Sequence, residues 1–148
     1  ELVSSAASVV GSQSVVVVLD VKRECGTHTV WTHNGTMPAG IAVTDFAKCM
    51  QHLGAGEIVV NSIERDGVMG GYDLELAGLV CRSVTLPITM LGGAGSLDDI
   101  GLLFEAFGIL GAAAGSLFVF KGKLRAVLIS YPSRAERDAL YARARQNY

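Results

Sequence analysis

The sequence predicts an α/β fold of the (βα)8 TIM-barrel type, present as four βα units, which amounts to half a barrel. Three observations predict it. Short apolar runs alternate with amphipathic stretches along the whole chain. The first run, Ser14 to Leu19 (SVVVVL), is apolar and β-branched almost throughout, as suits a parallel strand buried on both faces. Glycine accounts for 18 of the 148 residues, enough for a tight turn after every strand. Strict strand–helix alternation demands a parallel sheet with right-handed crossovers. An open doubly wound sheet is the rival arrangement.

Each element has its own signal. The first strand ends at Asp20. The segment Cys25 to Thr36 (CGTHTVWTHNGT) then alternates with period two. It reads as a short hairpin inserted in the first βα loop, with Asn34-Gly35 as a turn signal. Phe46, Ala47, Met50 and Leu53 share one face of a helix that Gly54 stops, with His52 at its surface. Glu57 to Val60 is the second strand. Leu74, Leu76, Leu79 and Val80 mark a helix after Asp73. Ile88 to Leu91 is the third strand, preceded by Pro87, which can start a strand but not sit inside one. Ser96 and Asp99 form a capping-box pattern for a helix through Phe107. Gly111 to Ala114 has weak strand propensity and is placed as the fourth strand by the rhythm of the others. Ser133 and Glu136 form a second capping box after Pro132, opening a charged helix to about Gln146.

Residues 1–148 therefore read as a single domain, with Glu1 to Ser5 resembling the tail of a helix cut in mid-domain. A half barrel alone leaves sheet edges and an open core, so it needs its other half, a second copy of itself or a partner. With 50% hydrophobic and 18% charged residues, the chain is expected to fold rather than stay disordered. A net charge of -2 without a basic stripe argues against nucleic acid. No apolar run approaches the ~20 residues of a membrane helix. Cys25, Cys49 and Cys81 have neither CxxC nor zinc spacing and read as structural thiols of a reducing cytosol. His28, His33 and His52 do not cluster, so no metal or other cofactor is expected.

Active sites of parallel α/β folds lie at the carboxyl ends of the strands. Asp20 holds that place on the first strand. It is either a general acid or base whose pKa Lys22 and Arg23 lower, or a loop cap paired with one of them. Asn61-Ser62 ends the second strand. The loop Ile63 to Asp73 is either a solvated turn or a mobile lid with Asp66 reaching inward. Gly92-Gly93-Ala94-Gly95 follows the third strand and Gly115-Ser116 the fourth. Glycine-rich turns on adjacent strands offer backbone N–H groups to one anion. In (βα)8 barrels the phosphate site usually lies at the last two strands, which would make these strands five to eight.

The same stretches resemble the HisF-type cyclase family, the cyclase subunits of imidazole glycerol phosphate synthase. The likeness is carried by Gly11 to Val17 with Asp20-Val21-Lys22-Arg23, by Thr32-His33-Asn34-Gly35, and by Gly54-Ala55-Gly56-Glu57-Ile58. It continues through Asn61 to Gly67, Gly71-Tyr72-Asp73-Leu74-Glu75, Gly92 to Gly95 and Gly115-Ser116. The resemblance implies the C-terminal half of the barrel, with the N-terminal half absent from this chain. It implies a cytoplasmic lyase of histidine biosynthesis that takes ammonia from a glutaminase partner and acts on a bis-phosphorylated nucleotide. Asp20 aligns with one of two catalytic aspartates. Gly92, Gly93, Gly115 and Ser116 align with a phosphate site, and Asn34, Gly35, Asn61 and Asp66 join the substrate-binding set. Glu57 aligns with the charged gate through which ammonia enters. This chain alone is expected to be inactive, because the other aspartate belongs to the first strand.

The Lys22-Arg23 pair and Gly71-Tyr72-Asp73 favour the cyclase over the sister isomerase of the same pathway. Asn61, Asn34, Leu91, Val68 and the tail from Gly115 to Pro132 depart from the biosynthetic pattern. They resemble paralogues found with surface-polysaccharide genes, which work with a sugar amidotransferase to make acetamidino sugars. In that branch the barrel serves as an ammonia conduit and scaffold. Another phosphosugar isomerase on the same fold is the third reading.

Overall fold

The computed structural model of the chain describes residues 1–122 and 124–145. Helix α1 (Leu2–Val10) and a single 3-10 turn (Ser12–Ser14) lead into strand β1 (Val16–Glu24). Strands β2 (Thr27–Thr32) and β3 (Met37–Ala42) follow, then helix α2 (Val43–His52) and strand β4 (Glu57–Ser62). Helix α3 (Leu74–Cys81), strand β5 (Ile88–Leu91), helix α4 (Leu97–Phe107) and strand β6 (Gly111–Ala112) continue the alternation. The chain then forms a short helix α5 (Ser116–Val119), a ribbon of β7 (Phe120–Lys121) and β8 (Ala126–Val127), and helix α6 (Arg134–Arg145).

The main sheet runs β3-β2-β1-β4-β5-β6. Strands β1, β4, β5 and β6 are parallel neighbours, joined from Val16↔Glu57 to Val21↔Ser62 and from Ile58↔Ile88 to Asn61↔Leu91. The parallel α/β architecture is therefore as expected. The sheet is open among the described residues.

Strand parity decides where the core lies, since successive side chains point to opposite faces. Leu19, Val21, Ile58, Val60, Ile88 and Met90 are buried. They meet Ala47 and Met50 of α2, Leu76, Ala77 and Val80 of α3, and Leu103 and Phe104 of α4 in one core. Each large side chain so buried contributes roughly 1.5–3 kcal/mol. The opposite face carries Val16 at 51% and Val18 at 59% exposure. The expectation that the first strand is buried on both faces is thus corrected: in this chain the helices cover one face only.

Other expectations are adjusted. Ser14 belongs to the 3-10 turn, and β1 runs past Asp20 to Glu24. It does so because Asp20 to Glu24 also pair antiparallel with β2. The expected hairpin is therefore a three-stranded meander, with turns at Cys25-Gly26 and at His33 to Thr36. His33, Asn34 and Gly35 all have positive φ, the conformation that Asn-Gly favours. The fourth strand is reduced to Gly111–Ala112, because the small residues after it give a strand little to pack. Both capping boxes form: Ser96 with Asp99, and Ser133 with Glu136. The expected end of the last helix at Gln146 lies outside the described residues. Arg143 ties α6 to α4 through Glu105 (2.7 Å) and Asp98 (2.8 Å).

Candidate functional site

Parity also builds the site. Asp20, Asn61 and Leu91 are register partners on neighbouring strands, so they stand side by side on the bare face. Asn61 Nδ2 donates to Asp20 Oδ1 at 2.9 Å. That bond holds the carboxylate in one orientation. The side-chain oxygen of Asn61, Oδ1, is buried without a hydrogen-bond partner among the described residues.

The two cations beside Asp20 in sequence are used elsewhere. Lys22 Nζ lies 4.4 Å from the centre of the Trp31 ring, a cation–π contact. Arg23 is on the other face by parity and pairs with Glu75 at 2.9 Å. The expected pairing of Asp20 with one of these cations is therefore corrected.

The glycine turns come together. Asp66, Gly67, Leu91, Gly92, Gly93, Ala94, Ala114, Gly115 and Ser116 line one small hollow at the carboxyl ends of β5 and β6. Gly92 (φ 92°) and Gly93 (φ 108°) sit in the left-handed region that favours glycine. A Cβ at Gly93 would lie 2.2 Å from the Gly71 carbonyl oxygen, so the loop after β4 needs that glycine to pack down. At Gly115 the reverse holds. Nothing among the described residues lies within 4 Å of a Cβ there, so packing does not explain the glycine. The amides of Gly95 and Ser96 are spent on Asp99 Oδ2, at 2.9 and 2.8 Å.

The loop from Ile63 to Asp73 is fastened to the rim, while Glu64, Asp66, Val68 and Gly70 stay exposed. Gly71 N donates to Gly93 O at 2.8 Å, and Arg65 Nη1 to Gly71 O at 3.1 Å. Arg125 Nη2 donates to Gly67 O at 2.6 Å, bringing the β7–β8 ribbon to the rim. Tyr72 is buried, and its hydroxyl donates to Ala113 O at 2.9 Å. Burial first, then the charge of Asp99, pushes the phenol well above its ordinary range.

Three predicted residues, Asn34, Gly35 and Glu57, belong to other parts of the fold than the hollow and the Asp20–Asn61 pair. Asn34 and Gly35 form the β2–β3 turn, where Gly35 abuts Ile63. Glu57 is register partner to Val16, at the opposite end of the strands from Asp20, and accepts from Thr89 Oγ1 at 2.6 Å. One polar pair went unforeseen. His28 is buried, with Nε2 3.3 Å from Asp73 Oδ2, while Asp73 Oδ1 caps α3 through Leu76 N at 2.9 Å. The buried alternation His28–Val30 along β2 is the signal that could have found it. Among the described residues no group of three or more His, Cys, Asp or Glu side chains is gathered as a metal site would be. No described helix is long and apolar enough to cross a membrane.

Most of the chain is matched by known proteins. The family described as "Histidine biosynthesis protein" matches residues 1–125. A Leptospira interrogans protein named "Putative imidazole glycerol phosphate synthase subunit HisF" is 50% identical over 143 residues, which is 95% of this chain and 56% of the relative. A Vibrio vulnificus protein, "Putative imidazole glycerol phosphate synthase subunit hisF3", is 48% identical over 93% of this chain and 54% of its own length. The "Imidazole glycerol phosphate synthase subunit HisF" of Sulfolobus acidocaldarius is 44% identical over 76% of this chain and 45% of its own length. The chain thus spans about half the length of the curated relatives it matches.

Proposed function

Because the chain belongs to the histidine biosynthesis protein family, we propose that it is the C-terminal half, strands five to eight, of a HisF-type cyclase barrel. In this reading it supplies one catalytic carboxylate and one of two phosphate sites. The observation that carries it is the hollow shared by the Gly92–Ala94 and Ala114–Ser116 turns, with Asp20 beside Asn61 and Leu91 on the same rim. Backbone N–H groups there hold a phosphate of the nucleotide substrate, as oriented amides do for anions generally. The carboxylate of Asp20, steadied by Asn61, passes the proton that ring closure and bond cleavage require. Ammonia comes from a glutaminase subunit and enters past Glu57, at the far end of the sheet.

The bare face with Val16 and Val18 is where the other half of the barrel packs. The barrel bearing both halves, given the nucleotide and its glutaminase, should release imidazole glycerol phosphate. Asp20→Asn should slow turnover by about 10²–10⁴-fold, the usual share of a general acid or base. Full activity in that variant would remove Asp20 from the mechanism.

A second reading rests on Leu91, whose side chain lines the hollow directly before Gly92. A bulky residue there narrows the phosphate site and favours the sugar-modifying branch, where the barrel only conducts ammonia. In that case Asp20→Asn keeps ammonia delivery intact, whereas Glu57→Gln uncouples it from glutamine hydrolysis.

A further inference from the structure

The ladder between β5 and β6 is short. Only Thr89↔Gly111 and Met90↔Ala112 are in register, with one further bond from Ala113 N to Met90 O at 2.8 Å. The chain from Gly111 to Gly115 is glycine and alanine alone, so it has no side chain large enough to wedge it in place. Yet both glycine turns must stay at one spacing if their amides are to meet one anion. An amide displaced by even 1 Å from hydrogen-bonding distance forfeits most of its interaction.

The segment Gly71-Tyr72-Asp73 bridges both turns. Gly71 N holds Gly93 O at 2.8 Å, on the turn after β5. The next residue, Tyr72, reaches across with its hydroxyl to Ala113 O at 2.9 Å, two residues before Gly115. Asp73 then fixes the segment itself, by capping α3 and meeting buried His28. Arg65 completes the clamp, with Nη1 on Gly71 O at 3.1 Å and Nε 3.9 Å from Asp73.

We infer that Tyr72 is a positioning residue: the strut that sets the distance between the two turns of the anion site, without touching the anion. The inference rests on the phosphate-site reading above. Burial keeps the phenol protonated, so it remains a donor across the working pH range. Replacing it by phenylalanine preserves the ring's packing and leaves the Ala113 carbonyl without its partner.

The test is a titration with inorganic phosphate, followed by the amide ¹H–¹⁵N shifts of Gly93, Gly115 and Ser116. In the unaltered protein one phosphate should move all three amides with a single dissociation constant. In Tyr72→Phe, affinity should fall about ten-fold, the size expected for one lost buried hydrogen bond. The signature is uneven: Gly115 and Ser116 shifts should shrink while those of Gly93 persist. A structural loss alone would weaken all three together. Unchanged affinity and shifts in Tyr72→Phe overturn the strut but leave the phosphate site standing. No response of any of these amides in the unaltered protein overturns the phosphate site, and the strut with it. Should Tyr72→Phe not fold, Arg65→Lys provides the second arm. Arg65 is 44% exposed, and lysine keeps its charge but cannot bridge Gly71 and Asp73. Its phosphate affinity should fall about three-fold, and an unchanged value would equally overturn the clamp.

Discussion

The two faces of the parallel sheet are built from the same strands and do opposite work. Beneath the helices, Leu19, Ile58, Val60 and Met90 are each no more than 1% exposed, and that face is apolar except for buried Ser62 at its end. On the other face Val16 and Val18 stand more than half exposed. There the apolar positions are interrupted by polar pairs, Glu57–Thr89 at one end and Asp20–Asn61 at the other. A face that only packs has no use for such pairs, because a polar group buried without a partner costs stability. The difference teaches that apolar packing and polar pairing have been divided by strand parity.

Substitutions can break that division. Ile58→Ala, on the covered face, should lower stability by about 3 kcal/mol, within the usual range for emptying a packed site. Val18→Ala, on the bare face, should cost below about 1 kcal/mol, because at 59% exposure little is lost. Urea unfolding of the two variants checks both. Equal losses would mean that the bare face is covered in solution. Thr89→Val tests the polar pair at the Glu57 end. It keeps the shape and deletes the donor to Glu57, so a loss of about 1 kcal/mol is expected.

Asn61→Thr should be nearly silent. It forfeits the bond to Asp20, worth about 1 kcal/mol, but it also removes an acceptor oxygen that is buried without a partner. The two terms are of similar size and opposite sign. A thermal midpoint displaced by less than a few degrees is the expected result, and a large loss would mean that the Asp20–Asn61 bond is a structural anchor.

What could be read beforehand was local. Val15 to Leu19, Ile58 to Val60 and Ile88 to Leu91 announce strands because their apolar side chains are consecutive. Ser96–Asp99 and Ser133–Glu136 announce helix starts because cap and partner are three residues apart. The paired glycine turns were visible for the same reason. What stayed hidden was long-range. Tyr72 meets a carbonyl 41 residues away, and His28 meets a carboxylate 45 residues away. No local pattern encodes the Tyr72 contact, and the alternation along β2 marks His28 as buried without naming its partner. The fate of Lys22 and Arg23 lay between these cases. Parity separates them as soon as β1 is known to continue past Asp20, but an apolar run that stops at Leu19 gives no reason to continue it.

The smallest effect expected concerns the last helix, which joins the covered side through Leu140 and Ala144. Its cap is exposed, and that makes it a measure of how little surface polar groups contribute beside the sheet. The hydroxyl and backbone N–H of Ser133 hold the Glu136 carboxyl below the usual glutamate range. A carboxyl depressed in the folded state stabilises the fold above its unfolded pKa, and that contribution disappears as pH falls through the folded value. Glu136→Gln should therefore unfold slightly earlier than the unaltered chain at neutral pH, and the two thermal midpoints should converge in acid. Because the group is fully exposed, solvent screens the bond and the gap should be smaller than that of Ile58→Ala or Thr89→Val. A gap that widens in acid would show that the glutamate acts through some group other than Ser133.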